Sequence, residues 1–497
     1  MPPYPDQVER HLAAPVGAGA MDRPDAIGES GSAACGDLVR LQLRVRGGRV
    51  EDARFLAFGC GAATAAASAA CARLRGAPLT DALRLSAADL DADLGELGPA
   101  RRHGPELVED AVARALEAWY SQRLGRLGLP LAADRVAVAM SGGVDSAVAA
   151  MLLRDAGLEV VGVTMRLWHD PSAAAAERSC CSPETVRLAR ATAHALGLAH
   201  LTIDAAEPFR RGVVEEFVAG YRAGRTPNPC VTCNGEVRFR VLSQAAALLG
   251  AHGLATGHYA RVTASASGRP VVARAADGAK DQSYMLAMLR GPLLERLRFP
   301  LGVLEKSEVR AMARAAALPA ADAVESQEVC FVGAGGYAPF LERAAAMSPW
   351  PGPVLDRLGR RVGSHDGYWR FTVGQRRGLR VASDVPLYVL ATDPATNAVT
   401  VGPREALVAA DLRLAGAVVH EDLAGPLDAR VRYRGRSLRA RARAVGEGDI
   451  AVALDDRAEG AAPGQTAALY RDGRLVAAGT IAASGPGTHR GGGSGVG

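Results

Sequence analysis

Three cysteines set out the chemistry this chain could perform. Cys230 and Cys233 lie two residues apart in Thr226-Pro227-Asn228-Pro229-Cys230-Val231-Thr232-Cys233-Asn234, and Cys330 follows in Ser326-Gln327-Glu328-Val329-Cys330-Phe331. A Cys-x-x-Cys pair serves zinc or redox chemistry most often. Zinc needs four ligands, and no second such pair exists in the sequence. Upstream, Ser141-Gly142-Gly143-Val144-Asp145-Ser146 offers a different chemistry. A glycine-rich turn between a strand and a helix lets backbone N–H groups converge on an anion, and the helix N-terminus adds positive character. Ser141 and Ser146 can donate further hydrogen bonds to phosphate oxygens. No Gly-Lys-Ser/Thr follows, and no Gly-x-Gly-x-x-Gly occurs there, so neither the common triphosphatase loop nor a dinucleotide fingerprint fits.

The elements that must position these residues follow from periodicity. Val136–Met140, Ala147–Asp155 and Glu159–Met165 read as strand, helix and strand, a βαβ unit that implies a parallel sheet. Similar alternation runs to about Leu318, and from Gly352 onward short glycine-punctuated strands predict small β domains. In front, Leu38–Val45 and Ala53–Phe58 predict strands around a Gly47-Gly48 turn, and Gly61–Leu74 and Pro105–Tyr120 predict helices. Leu124–Pro130 reads as a short linker and Gly485–Gly497 as a disordered Gly/Ser tail.

Length and composition fit this division. At roughly 100–200 residues per domain, 497 residues predict three or four domains. Apolar residues are 48% and charged residues 22%, ordinary for a globular protein. Apolar runs are broken by Arg or Gly, and the first residues lack a signal-peptide pattern, so a cytoplasmic protein with no membrane partner is expected. Eight cysteines are too few for a disulfide scaffold and point to metal, cluster or thiol chemistry. Of 58 basic residues only Lys280 and Lys306 are lysine. The net charge of +5 is too small to argue for a polyanion partner by itself. Its distribution says more: Arg430, Arg432, Arg434 and Arg436 alternate, then Arg439, Arg441 and Arg443, with no acidic residue from Ala429 to Val445. If both runs are strands, each carries its arginines on one face, where they could meet a phosphate backbone.

The loop Ser141–Ser146 resembles the pyrophosphate loop of the ATP-pyrophosphatases, which adenylate a carbonyl oxygen and release pyrophosphate. From about Arg135 to Ser484 the chain is similar to the tRNA-specific 2-thiouridylases of that superfamily. The likeness is collinear through the loop, Met165, the Asn-Pro-Cys-x-x-Cys-Asn run, Gly257, Lys280-Asp281-Gln282, Cys330 and Thr372-Val373-Gly374-Gln375-Arg376. It implies ATP, with Mg2+, held by Ala139, Met140, Ser141, Gly142, Gly143, Val144, Asp145, Ser146, Met165 and Gly257. It implies Cys233 as nucleophile, Cys330 as the persulfide carrier, and target-base contacts from Asn228, Pro229 and Cys230. Lys280, Asp281, Gln282, Arg432 and Tyr433 would face tRNA, and a cysteine desulfurase or sulfur-relay protein would donate sulfur. Many relatives carry Asp at the Cys230 position. Cys230, Cys233 and Cys330 could therefore hold a [4Fe-4S] cluster instead. Both routes stay open, and Cys180-Cys181 receives no role.

Residues 20–122 fall outside that pattern. Gly31–Asp37 and Phe58–Ala63 resemble iron–sulfur scaffold proteins of the NifU/IscU type. Cys35, Asp37 and Cys60 match, the third cysteine position is Gly104, and His103 could ligate instead. Cys60 opens a helix, where the dipole favours thiolate. Cys71 reads as packing.

Together these readings predict a multidomain chain. An α+β scaffold-like domain (20–122) precedes an α/β parallel-sheet ATP-pyrophosphatase domain, adenine nucleotide alpha hydrolase-like (130–332). A small β-rich domain (333–405), a C-terminal β-barrel that binds tRNA (406–485) and the tail (486–497) follow. The expected activity is tRNA-uridine 2-sulfurtransfer, with the N-terminal domain a tethered supplier of sulfur or cluster. Another carbonyl-adenylating synthetase, or an iron–sulfur assembly adaptor that senses nucleotide, is the alternative.

Overall fold

The computed structural model describes residues 4–33, 36–126, 128–168, 182–323, 329–332 and 335–485. Cys35, Cys180, Cys181, Ser326-Gln327-Glu328 and the Gly/Ser tail beyond Gly485 lie outside the described residues. The chain divides into two compact units, 1–207 with 240–257 and 307–326, and 208–239 with 258–306 and 327–497.

The first unit opens with α1 (Asp6–Ala13) and an antiparallel meander of β1 (Ala26–Gly31), β2 (Leu38–Arg46) and β3 (Arg49–Phe58). Gly47 and Gly48 both take positive φ, 55° and 74°, as a tight hairpin of this kind requires. Val39, Leu41 and Leu43 point inward from β2 at period two, and helices cover that face. These are α2 (Gly61–Leu74), the short α3 (Leu79–Ala82) and α4 (Ala87–Asp93), and α5 (His103–Ser121). At Gly28 of β1 a Cβ would stand 2.0 Å from the Ala111 carbonyl oxygen, so α5 lies directly on the sheet.

Next in the same unit come β4 (Ala132–Ala139), α6 (Val144–Asp155), β5 (Glu159–Arg166), α7 (Pro183–Ala195), β6 (Ala199–Asp204) and β7 (Ala251–Thr256). The strands run parallel in the order β7-β4-β5-β6. Val136, Ala137 and Val138 are buried consecutively, the pattern of a strand covered on both faces.

The N-terminal domain is docked on this sheet, so the short linker joins two modules in direct contact. Arg190 of α7 is buried, donates to Asp110 of α5 at 2.9 Å and lies 3.3 Å from Glu109. His194 stands 3.0 Å from Glu109. The edge strand β6 is closed by the His200 N–H donating to the Leu83 carbonyl at 3.0 Å, and by the Asp204 N–H donating to Ser121 Oγ at 3.0 Å. Even the linker is packed: a Cβ on Gly128 would sit 1.7 Å from the Ala247 carbonyl oxygen.

The second unit holds the cysteine-bearing segment, a hairpin of β8 (Ala260–Ala264) and β9 (Pro270–Arg274), and the two-residue β10 (Leu297–Arg298). A four-stranded sheet of β11 (Gly352–Leu355), β12 (Arg361–His365), β13 (Tyr388–Asp393) and β14 (Ala398–Gly402) follows in the order β12-β11-β14-β13. The last strands are β15 (Val408–Val419), β16 (Leu427–Arg430), β17 (Leu438–Ala444), β18 (Ile450–Glu459), β19 (Thr466–Arg471) and β20 (Arg474–Gly485). They close into a six-stranded barrel through β15–β20 pairing, around a core that includes Leu414, Leu427, Leu469 and Ile481. Closure removes the edges that an open sheet would expose.

Candidate functional site

The phosphate loop sits where the strand order reverses: β4 has β5 on one side and β7 on the other. Ligands of open α/β sheets bind beyond the carboxyl ends of strands at such a point. Gly142 takes φ 74°, and a Cβ there would stand 2.7 Å from the Thr185 carbonyl oxygen of α7, so only glycine fits. Gly143 is extended and N-caps α6. Ser146 Oγ accepts from the Ser141 N–H at 3.1 Å and donates to the Gly143 carbonyl at 3.0 Å, tying the turn into one ring. Gly257 follows β7, and a Cβ there would meet the Asp145 carbonyl carbon and the Ser146 nitrogen at 2.7 Å. Met165 is half-buried near the end of β5. Loop, Gly257 and Met165 thus gather at one end of the sheet, and the N–H groups at the start of α6 can take a pyrophosphate.

In the second unit, Asn228 Oδ1 accepts from the Val231 N–H at 3.3 Å and caps a short helix, Pro229–Thr232, with Pro229 in its first turn. The following turn, Cys233–Arg238, is π-helical, a distortion that recurs at functional sites. Cys230 is half-buried and Cys233 is 5% exposed. Burial pushes the Cys230 thiol up from its ordinary value, Arg238 pulls it down, and Cys233 adds to the rise. Arg238 was not singled out by sequence, although it ends the helical turn that Cys233 begins. The loop before the helix is fixed to the barrel segment: the Thr226 N–H donates to the Pro463 carbonyl at 2.9 Å, and Gln465 Nε2 donates to the Thr226 carbonyl at 2.8 Å. Asn234 Nδ2 donates to the Met285 carbonyl at 2.9 Å. Cys330 is half-buried, and its neighbour Phe331 packs edge-on against Phe209, Phe217 and Phe340. Among the described residues Cys60, Cys71, Cys230, Cys233 and Cys330 are in no disulfide.

The residues expected to meet nucleic acid divide into two groups. Asp281 is buried and its carboxylate accepts from Arg430 Nη1 at 2.8 Å and from Ser283 Oγ at 3.1 Å. Gln282 Oε1 accepts from the Tyr259 N–H at 3.0 Å. Both are therefore engaged inside the unit, and Arg430 leaves the exposed arginine row with them. Val431–Ser437 is a turn and not a strand, which corrects the expected alternation; Arg434 adopts φ 55° with its guanidinium 5.2 Å from the Tyr433 ring centre. Arg432, Arg434 and Arg436 are nonetheless exposed, and β17 presents Arg439, Arg441 and Arg443 on its outer side. Lys280 is half-buried, with its N–H donating to Asp277.

In the N-terminal domain, Asp37, Cys60 and His103 offer ligand atoms that all lie within 4.8 Å of one another. His103 Nε2 is 3.0 Å from Asp37 Oδ2 and 3.5 Å from Cys60 Sγ. The mixed thiol, imidazole and carboxylate set, with the carboxylate buried, fits a transition metal or cluster iron. Gly59 at φ 132° is required, because a Cβ would stand 2.0 Å from Asp37 Oδ1. Cys60 N-caps α2, its Sγ accepting from the Ala63 N–H at 3.4 Å. Burial and the hydrogen bond to Asp37 nevertheless outweigh that amide and raise the thiol, so helix polarity alone does not deliver the expected thiolate. Gly104 is a packing residue: a Cβ would meet the Ala62 carbonyl carbon at 2.9 Å, where α5 begins against α2. Cys71 is fully buried and its thiol is pushed up to about 12 by burial, as packing requires.

These features define a class: an iron–sulfur scaffold-like domain joined to an α/β adenine-nucleotide domain with two β domains behind it. Four family models match in series. They are the NifU-like N terminal domain over residues 3–125, and the tRNA methyl transferase HUP domain over 134–334. The tRNA methyl transferase PRC-barrel domain over 338–403 and the aminomethyltransferase beta-barrel domain over 405–481 complete the series. The bifunctional protein NifU/MnmA of Rubrobacter xylanophilus is 44% identical over 490 residues, 97% of this chain and 98% of that protein. The tRNA-specific 2-thiouridylase MnmA of Sorangium cellulosum is 46% identical over 362 residues, 71% of this chain and 94% of that protein. A crystal structure of a NifU-like protein N-terminal domain from Brucella abortus is 23% identical, with TM-score 0.21, covering 23% of this chain and 91% of that one. The chain belongs to the family of bifunctional NifU/MnmA proteins, whose larger part is of the tRNA-specific 2-thiouridylase type.

Proposed function

We propose that this chain is an ATP-dependent tRNA-uridine 2-sulfurtransferase acting at the wobble uridine. The observation that carries the reading is the capped, π-distorted turn holding Cys230 and Cys233, in a chain that also builds a phosphate loop at its sheet's switch point. In this reading the loop binds ATP with Mg2+, and the uridine O2 attacks the α-phosphate, releasing pyrophosphate. The C2 carbon then carries an adenylate leaving group. A persulfide on Cys330 attacks C2 through its terminal sulfur, and AMP departs with the original oxygen. The Cys233 thiolate attacks Cys330 Sγ, forming a Cys233–Cys330 disulfide and leaving sulfur on the base; an external thiol reductant resets the pair. Asn228, Pro229 and Cys230 line the base site, and Lys280, Arg432 and Tyr433 contact tRNA.

A second reading rests on the three-thiol set. Cys230, Cys233 and Cys330 would hold a [4Fe-4S] cluster, which would supply sulfide to the adenylated base. In both readings the trio Asp37, Cys60 and His103, with Cys35, holds cargo received from a cysteine desulfurase or relay protein. We divide the chain at 20–122, 130–332, 333–405 and 406–485, a division that the four matched segments support.

The test is nucleoside mass spectrometry of tRNA incubated with the purified chain, ATP and a sulfur source. Appearance of 2-thiouridine dependent on Cys233 is expected. An ATP-dependent product other than a thiolated base would overturn the reading, and iron lost on replacing any one of the three cysteines would select the cluster route.

A further inference from the structure

Below the phosphate loop runs a buried polar chain that the proposed chemistry has not used. Thr164 of β5 is 1% exposed and His200 of β6 is 3% exposed. Thr164 Oγ1 donates to the Met140 carbonyl at 2.9 Å. Having given its one proton, that hydroxyl can only accept from His200 Nε2, 2.8 Å away. The imidazole is therefore the neutral Nε2–H tautomer. Complete burial holds its pKa well below the ordinary histidine value, so this state persists through the neutral range. Gly162 makes the approach possible: a Cβ there would stand 2.6 Å from Met140 Sδ and 3.2 Å from His200 Cδ2.

The chain matters because of where it ends. Met140 lies just beyond β4, which finishes at Ala139, and it is buried. Its carbonyl has left the strand and would be costly to leave without a donor. The Met140 carbonyl and the Ser141 N–H share one rigid peptide plane. Fixing the carbonyl fixes the direction of that N–H, which donates to Ser146 Oγ, which in turn donates to the Gly143 carbonyl. One directed relay thus runs from His200 through Thr164 and the Met140–Ser141 peptide to the glycine turn. His200 is itself held by its backbone N–H, which donates to Leu83 of the N-terminal domain.

We propose that Thr164 and His200 are positioning residues for nucleotide: through the Met140–Ser141 peptide they hold the loop's N–H groups aimed at the pyrophosphate of ATP. The inference rests on reading that loop as the ATP site. Thr164→Val keeps the shape of the side chain and removes both hydrogen bonds, while Thr164→Ser keeps the hydroxyl. His200→Phe removes only the outer donor.

Calorimetric titration with magnesium ATP, without tRNA, should show binding about tenfold weaker in Thr164→Val and about threefold weaker in His200→Phe. Thr164→Ser should stay within about twofold of the parent protein. In turnover the loss should appear in KM for ATP, with KM for tRNA unchanged. A purely structural role would lower the melting temperature of Thr164→Val and leave its ATP affinity intact, and that result would overturn the proposal. His200→Phe binding ATP as tightly as the parent would remove His200 from it. Failure of the parent chain to bind magnesium ATP at all would instead sink the reading of the loop itself, and this proposal with it.

Discussion

The joint between α5 and α7 gives the sharpest prediction. Arg190 is 7% exposed, and its guanidinium faces Asp110 at 2.9 Å and Glu109 at 3.3 Å. Asp110 also accepts from Ser30 Oγ at 3.0 Å and Arg114 Nε at 2.9 Å, and Glu109 accepts from the Ala87 N–H at 3.2 Å. Arg190→Met removes the charge and leaves two carboxylates without their principal buried cation. Breaking one partner of a buried pair costs about 3–5 kcal/mol. For a domain of this size that corresponds to a melting temperature lower by roughly 6–20 °C. The carboxylates set the pH dependence. Burial pushes Asp110 up, but the Arg190 charge and hydrogen bond outweigh it; burial likewise raises Glu109, and the hydrogen bond from His194 with the Arg190 charge outweighs that. Both end below their ordinary values of 3.8 and 4.5. A depressed carboxylate stabilises the fold fully above its unfolded value and loses that contribution as pH falls through the folded one. Parent protein should therefore lose stability more steeply than Arg190→Met on acidification below about pH 4.5. Urea unfolding across pH 3–7 reads both effects. A change below about 1 kcal/mol at pH 7, or parallel acid profiles, would refute the joint as a stabilising contact.

Other expectations are as direct. Removing residues 1–122 should destabilise the remainder, because it exposes the edge of β6 and leaves Arg190 and His194 without Asp110 and Glu109; a truncated chain that melts with the parent would contradict the docked arrangement. Cys60→Ala or His103→Ala should each weaken iron or zinc uptake by the N-terminal domain at least about tenfold, read by metal titration, since each removes one of three converging donors. Gly104→Cys should cost about 1–3 kcal/mol of stability, since its Cβ meets the Ala62 backbone; a neutral effect would mean that the helix start can shift. Arg432→Ala with Arg441→Ala should flatten the salt dependence of tRNA binding by about one unit per lost phosphate contact, whereas Asp281→Asn should instead lower stability by unpairing Arg430.

Local chemistry was legible wherever the chain itself imposes it. The Gly47-Gly48 hairpin, the helix Gly61–Leu74 and the strand–turn–helix around Ser141–Ser146 follow from steric limits and short-range periodicity, and the structure carries each of them. Spacing also marked Cys230 and Cys233 as a Cys-x-x-Cys pair, and the structure sets them on the capped turn Pro229–Thr232 and the π-helical turn that follows. What sequence could not reveal is which polar groups meet across distance. Asp281 stands with Lys280 and Gln282 in a run that resemblance turns toward tRNA, and nothing local announces Arg430, 149 positions later, which folds back to pair with it. The arginine alternation reads as two strands; the second run is β17, but the first, past Arg430, falls in the turn Val431–Ser437 between β16 and β17, because closing a six-stranded barrel fixes where each strand stops. The short linker keeps the N-terminal domain close but names no residue that it touches. Only the tertiary structure set Glu109 and Asp110 of one helix against Arg190 and His194 of another, and tied His200 through Thr164 to the phosphate loop. Periodicity constrains neighbours along a chain; pairings between residues dozens of positions apart are decided by packing, where each buried charge or donor must find its partner.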